Sequence, residues 1–240
     1  MEEKVFKETL KENALAISVI LDDDMLEKLY LYKNLVIEWN EKINLTSITE
    51  DFEFIIKHLV DSLTINKYIE KDKTIIDIGT GAGFPGIPLK VLNKDNRVVL
   101  FDSLNKRLKV LEDIIRSLDL QNIETLHGRA EETFKNKEQR EKYDIAVSRA
   151  VAALNVLVEL MLPAVKLGGI CICMKGNNAD VEIEEAKKAI QELGGEIIKV
   201  EKIVLPKLNL ERNIIIIKKV KQTHNKYPRK PGTPQKEPII

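Results

Sequence analysis

Two cysteines and three histidines are all that this 240-residue chain offers to sulfur or imidazole chemistry. Two cysteines build no disulfide framework, which agrees with a reducing compartment. Three histidines leave no Ser-His-Asp candidate at a strand end and no cluster with metal-ligand spacing, so no metal is expected. No apolar run approaches the ~20 residues needed to span a bilayer. The charged N-terminus MEEKVFKETLKEN lacks the apolar segment of a secretory signal. A cytoplasmic protein without membrane contact is expected. Net charge is absent too, since 38 Lys and Arg face 38 Asp and Glu. The molecule therefore has no long-range basic field, and a nucleic-acid partner would have to meet a local patch. Residues 218–236 provide one, with seven Lys or Arg and no Asp or Glu. Charge and proline content alone read that segment as a solvated, partly disordered tail.

What is present is two textures. Residues 1–70 read as helical. Met25, Leu29, Tyr32, Val36, Trp39 and Ile43 recur at steps of four and three, one apolar stripe on a helix, with Asp22 to Asp24 at its start to cap free N–H groups. Phe52, Ile56, Leu59 and Leu63 repeat the pattern, and an earlier helix is expected around 3–20. From Thr74 short apolar runs take over: 74–79, 97–103, 123–128, 143–150 and 168–176 read as strands, separated by helical patterns. Cys171 and Cys173 lie two apart on the fifth, hence on one face; mid-strand cysteines between isoleucines are read as small core residues rather than nucleophiles. EIIKVEKIVLP and RNIIIIKKV follow as two strands without a helix between them. The alternation predicts an α/β fold, a mostly parallel sheet with helices on both faces and a terminal hairpin that adds one antiparallel strand.

Ligands of such sheets bind at the carboxyl ends of the strands, where strand order reverses. The first strand runs into TIIDIGTGAGFPGIPL, residues 74–89. Gly79, Gly81 and Gly83 let the backbone turn tightly and approach a ligand. Asp102 ends the second strand, 23 residues after Gly79, where a carboxylate can accept both hydroxyls of an adenosine ribose. The loop permits two readings. Gly81, Gly83 and Gly86 fit the dinucleotide fingerprint G-x-G-x-x-G. Against it, Phe84 and Pro85 crowd the helix start where a pyrophosphate would sit. Asp77, just ahead of the glycines, suits a ligand with an amino group more than one with two phosphates.

The D-x-G-x-G-x-G loop with a later strand-end acid resembles the class I S-adenosylmethionine-dependent methyltransferases. More narrowly, DIGTGAGFPGIPL, HGRAEE, SRAVA, WNEKINLTSI, HLVDSL and the ending YPRKPGTPQKEPI resemble the RsmG (GidB) family of 16S rRNA guanine-N7 methyltransferases, over nearly the whole chain. The final Ile stands where the family pattern has Leu. The resemblance implies a Rossmann-like domain with a seven-stranded, mostly parallel sheet and a helical N-terminal extension. It divides the chain into a helical region 1–70, a methyltransferase domain 71–220 and a basic, Pro-rich tail 221–240. It implies S-adenosylmethionine as cofactor, with S-adenosylhomocysteine as product. It implies methyl transfer to N7 of guanosine 527 in the 530 loop of 16S rRNA, and the small ribosomal subunit as partner. A monomer is expected.

Carried over by position, Gly79, Gly81, Gly83 and Phe84 would line the cofactor pocket. Asp102, Ser103 and Leu104 would hold the ribose and adenine side, and Ala130 and Glu131 would flank the adenine. Arg149, after the fourth strand, would face both cofactor and substrate as a positioning residue. On the RNA side stand His58, accompanied by Asp61, and Lys175 at the end of the fifth strand, which composition alone reads equally as solvent-facing. Arg229 and Lys230 in the tail are expected on phosphate or a splayed base, so that truncation after Val220 should weaken RNA binding and spare cofactor binding. Lys106, Arg107 and Lys109 read as an exposed helix face.

The chemistry asks for little more. Guanine N7 carries an in-plane lone pair and no proton at neutral pH, so no general base is needed, only alignment in a dry, shaped site. Two rival readings are an NAD-binding oxidoreductase, favoured only by GAGFPG, and a non-catalytic adenosine-ligand module. Hydride transfer would call for an acid or base beside the substrate, and the sequence shows no convincing one.

Overall fold

The computed structural model of the chain describes residues 1–149 and 151–240. Ala150, expected to end the fourth strand, lies outside the described residues. Helix α1 (Glu3–Ala16) is shorter than expected, because Ser18 takes a left-handed backbone with φ of 62° and ends it. In α2 (Asp23–Asn40) the Asp22 carboxylate accepts the Met25 N–H at 2.8 Å, the expected cap, and Leu29, Tyr32 and Val36 of the stripe are buried. Ile43 lies beyond its end. A third helical segment begins as α3 (Asp51–Phe54), widens into a π-helical turn (Ile55–Val60) and closes as α4 (Asp61–Leu63). Such turns change the angular spacing of side chains along a helix, and this one carries His58 just ahead of Asp61. No helix among the described residues is long and apolar enough to cross a membrane.

The apolar runs then become β1 (Thr74–Ile78), β2 (Arg97–Asp102), β3 (Ile123–His127), β4 (Tyr143–Arg149) and β5 (Val165–Lys175). Helices α5 (Gly86–Leu92), α6 (Asn105–Ser117), α7 (Ala130–Thr133) and α8 (Leu154–Met161) connect them. Val165, spaced in the sequence to extend the helical pattern of Leu154, Leu157 and Met161, opens β5 instead. After α9 (Ala179–Glu192), β6 (Gly195–Leu205) and β7 (Leu210–Lys219) form the expected hairpin, and α10 (Thr233–Lys236) lies in the C-terminal segment. The seven strands make one sheet in the order β3-β2-β1-β4-β5-β7-β6. The first five strands are parallel and β7 runs antiparallel beside β5. Strand order reverses between β1 and β4, so the ends of those two strands open a crevice.

Alternation along the strands divides the interior in two. Ile75, Leu100, Val147, Ile172 and Ile216 face one layer, shared with α1, α2, the α3–α4 segment, α5 and α6. Ile76, Phe101, Ala146, Cys173 and Ile217 face the other, shared with α7, α8 and α9. The N-terminal helices thus belong to the same apolar cluster as one face of the sheet. Each fully buried Leu or Ile there contributes about 1.5–3 kcal/mol by leaving water. Tyr227 and Ile239 join the second cluster. The C-terminal segment is folded onto the body rather than solvated, because its apolar side chains find a surface to cover.

Candidate active site

Asp77 ends in the interior, and its position builds the glycine loop. One carboxylate oxygen accepts the Thr80 hydroxyl at 2.6 Å and the Gly86 N–H at 2.9 Å, joining the turn to the start of α5. Complete burial pushes the carboxyl up to about 6, against the pull of those two hydrogen bonds. Asp77 holds the loop from beneath; the expectation that it serves a ligand's amino group gives way to this internal role. Gly79 has φ of 74°, and a Cβ there would lie 2.5 Å from Val151 Cγ2. Gly83 has φ of 102°, and its Cβ would lie 2.8 Å from the Tyr32 hydroxyl, which donates to the Ala82 carbonyl at 2.7 Å. The N-terminal helix α2 therefore props the loop from behind, a contact that no local motif announces.

Asp102 is 5% exposed at the end of β2. Its oxygens accept the Gly81 N–H at 3.0 Å and the Leu104 N–H at 2.8 Å. Each oxygen keeps a further lone pair, so the carboxylate is oriented but not exhausted. Beside it lies a hollow of about 140 Å³ whose lining includes Gly79, Asp102, Ser103, Ala130, Glu131 and Val151. Five expected cofactor residues meet there. Gly81 and Gly83 shape the turn instead of lining the hollow, and Leu104 offers its N–H while its side chain is exposed. Phe84 is a correction. It is buried on the opposite side of the loop, with its ring stacked on His58 at a centroid distance of 4.3 Å.

A second cleft, of about 450 Å³, opens at the end of β4, lined in part by Lys57, His58, Asp61, Arg149, Lys175 and Arg212. Arg149 is its hub. Nη1 donates to the Lys57 carbonyl at 2.7 Å and to Asp61 at 3.2 Å, and Nη2 donates to His58 Nδ1 at 2.9 Å. The guanidinium lies 5.0 Å from the Phe84 ring centroid. Because Arg149 can only donate, His58 Nδ1 accepts and Nε2 carries the hydrogen, which goes to the Thr46 hydroxyl at 2.8 Å. Burial first, and then the Arg149 charge, push His58 down to about 3. The imidazole is neutral with both nitrogens engaged. Asp61 also faces Arg212, whose Nε lies 3.3 Å from Oδ1.

Two expected roles change. Lys175 lines the cleft instead of reaching solvent; its ammonium pairs with Glu182 of α9 at 2.6 Å and is nearly buried. Arg229 is committed inside the chain: its backbone N–H, Nε and Nη2 all donate to Glu159, a fully buried carboxylate of α8. Lys230 beside it is exposed, as a phosphate contact would need. Cys171 and Cys173 are buried with thiols pushed up by burial, Cys173 to about 12, as core residues would be. Lys106 and Lys109 are exposed on α6, as expected; Arg107 is half-buried, with Nη1 3.8 Å from Asp102. Thr46, Arg212 and Tyr32 were missed as site residues. Only the quoted LTSI stretch carried any trace of the first.

The sheet order, the glycine turn after β1 and the acid after β2 define a class I S-adenosylmethionine-dependent methyltransferase fold. Solved structures agree in fold. A SAM-dependent O-methyltransferase from Thermotoga maritima superposes with TM-score 0.52 at 16% identity, over 79% of this chain and 72% of that one. M. jannaschii TYW2 in complex with AdoMet gives TM-score 0.51 at 16% identity, over 65% and 74%. A family model described as rRNA small subunit methyltransferase G matches residues 25–216, and the chain belongs to that family. Among its relatives are the Ribosomal RNA small subunit methyltransferase G of Acetivibrio thermocellus, 49% identical over 100% of both chains, and that of Alkaliphilus metalliredigens, 47% identical over 97% of this chain and 98% of the relative. Membership makes S-adenosylmethionine its cofactor.

Proposed function

We propose that the chain methylates N7 of a guanosine in the 16S rRNA of the small ribosomal subunit, guanosine 527 of the 530 loop. The hollow beside Asp102 takes the adenosine part of the cofactor and the Arg149 cleft takes the base. The residues present suit that cofactor. An oriented carboxylate offers free lone pairs to ribose hydroxyls, and Ala130 gives a flat apolar neighbour for an adenine. When bound, the cofactor supplies an electrophilic methyl group on a sulfonium with a neutral leaving thioether.

The observation that carries this reading is the state of His58. Its Nδ1 lone pair is taken by Arg149 and its Nε2 hydrogen by Thr46. It is not poised to remove a proton, and guanine N7 has none to remove. Arg149, fixed by the Lys57 carbonyl, Asp61 and His58, has N–H groups left over that suit the O6 of a guanine. The cluster aligns a base and excludes water, which is the demand of a direct displacement.

The test uses small subunits that lack the modification. Incubation with protein and S-adenosylmethionine should place one methyl group at N7 of guanosine 527, read by chemical cleavage and primer extension. A methyl on another atom or another nucleotide would sink the finer reading. In calorimetry Asp102→Ala should weaken S-adenosylmethionine on the order of 10–100-fold, as loss of a charged acceptor predicts, and NADH should not bind. Equal affinity in the variant would remove Asp102 from the site.

A further inference from the structure

The C-terminal segment is fastened to the wall of the adenosine hollow. Three attachments show it. Arg140 joins the end of α7 to the segment, with Nη1 donating to the carbonyls of Phe134 at 3.0 Å and Tyr227 at 2.7 Å, and Nη2 to that of Thr223 at 2.6 Å. Arg229 grips Glu159, and the next residue along α8, Leu160, lines the hollow. The Gly232 N–H donates to Glu131 Oε1 at 3.1 Å, and Glu131 lines the hollow itself.

Helix α7 is four residues long and has no side-chain cap. A single turn has little stability of its own, so the direction of Glu131 and the place of Ala130 depend on what holds them from outside. Arg229 is equally committed. A carboxylate as deeply buried as Glu159 cannot be left without its partner, which keeps the guanidinium where it is when RNA approaches.

We propose that residues 221–240 are a positioning element of the cofactor site: the Arg229–Glu159 pair and the Gly232–Glu131 bond hold α7 and α8 so that the adenine-side wall is preformed. The proposal rests on the reading of that hollow given above. It reverses the expectation that loss of the segment would spare cofactor binding. Arg229 is a positioning residue in this scheme, and it touches neither RNA nor cofactor.

The test is calorimetry and steady-state kinetics on the full chain. Glu159→Leu combined with Arg229→Met removes both charges, so no buried carboxylate is stranded. Gly232→Ala is the milder variant; its φ of 79° strains a side chain although nothing lies within 4 Å of the new Cβ. The double variant should bind S-adenosylmethionine and S-adenosylhomocysteine about tenfold more weakly, the cost of losing preorganisation. KM for the cofactor should rise accordingly. Turnover at saturating cofactor and affinity for unmodified small subunits should stay unchanged. Arg229→Lys with Glu159 intact should lose less than the double variant, and Gly232→Ala should show the same direction with a smaller change; the latter decides the question if the double variant does not fold. Weakened subunit binding with intact cofactor affinity would overturn the proposal in favour of a phosphate contact. A lower melting temperature with both affinities intact would overturn it in favour of a purely structural clasp. If the unaltered chain fails to bind S-adenosylmethionine, the assignment of the hollow falls first; if it binds and the variants match it, only the positioning role falls.

Discussion

The hollow beside Asp102 and the Arg149 cleft open at the same edge of the sheet, yet they are built differently. The hollow is lined mostly by residues close in sequence to the glycine turn, to Asp102 and to Ala130, joined by Val151 and by Leu160 of α8. Its main polar group is oriented by backbone N–H donors. The cleft is assembled from side chains of a π-helical turn, β4, β5, α9 and β7, carrying His58, Arg149, Lys175, Glu182 and Arg212. Its order comes from pairing among those side chains. The polar group of the hollow is set by backbone geometry, whereas the charged groups of the cleft are brought together only by the tertiary fold.

The comparison breaks most visibly at Arg149. Arg149→Ala removes the donors that align the cleft and leaves His58 Nδ1 without its partner. Methyl transfer to small subunits should fall roughly 10³-fold in kcat/KM, a loss of about 4 kcal/mol of alignment, with cofactor affinity nearly intact. A loss confined to cofactor affinity would move Arg149 from the cleft to the hollow and erase the division.

Acid should weaken the cleft before the hollow. His58 is held near 3 in the folded chain, below its ordinary 6.5, so its contribution is complete above pH 6.5 and is lost as pH falls toward 3. Asp77 runs the other way. Its carboxyl is raised to about 6, so its contribution is present below 3.8 and is lost as pH rises through 6. Urea unfolding of the unaltered chain and of His58→Asn, compared at neutral pH and near pH 4.5, isolates the first effect. The unaltered chain should lose about 2.5 kcal/mol more than the variant over that interval. Parallel pH profiles would mean that His58 titrates as an exposed imidazole does.

The smallest effect belongs to the prop behind the loop. Tyr32→Phe deletes the hydroxyl that bonds the Ala82 carbonyl and leaves a buried acceptor unpaired, at about 1–2 kcal/mol of stability. Cofactor affinity should drop less than tenfold, while turnover on bound subunits holds. A change in turnover larger than the change in cofactor affinity would tie α2 to the cleft instead.

Local patterns carried much of this. The strand and helix alternation, the terminal hairpin, the glycine turn and Asp102 were legible because each is written within a few residues and answers to backbone sterics or periodicity. Phe84 and Lys175 were misplaced for one reason. Whether a side chain faces a ligand, solvent or a partner depends on what lies across from it, and His58 and Glu182 come from distant elements or from the far side of a loop. Arg229 shows the same limit. Its setting among prolines and lysines describes a solvated basic tail, and only folding places Glu159 opposite.

By itself, the sequence determined the order of elements, the need for glycine where the backbone turns left-handed, and the acid at the end of the second strand, since these follow from local sterics and from period-2 and period-3.6 patterning. The tertiary structure alone decided which charges became partners, which histidine nitrogen carries the hydrogen, and that the C-terminal segment is bonded to Glu159 and Glu131. Those outcomes depend on desolvation and on distances between residues far apart in the chain, and neither exists until the sheet and its two helical layers have closed.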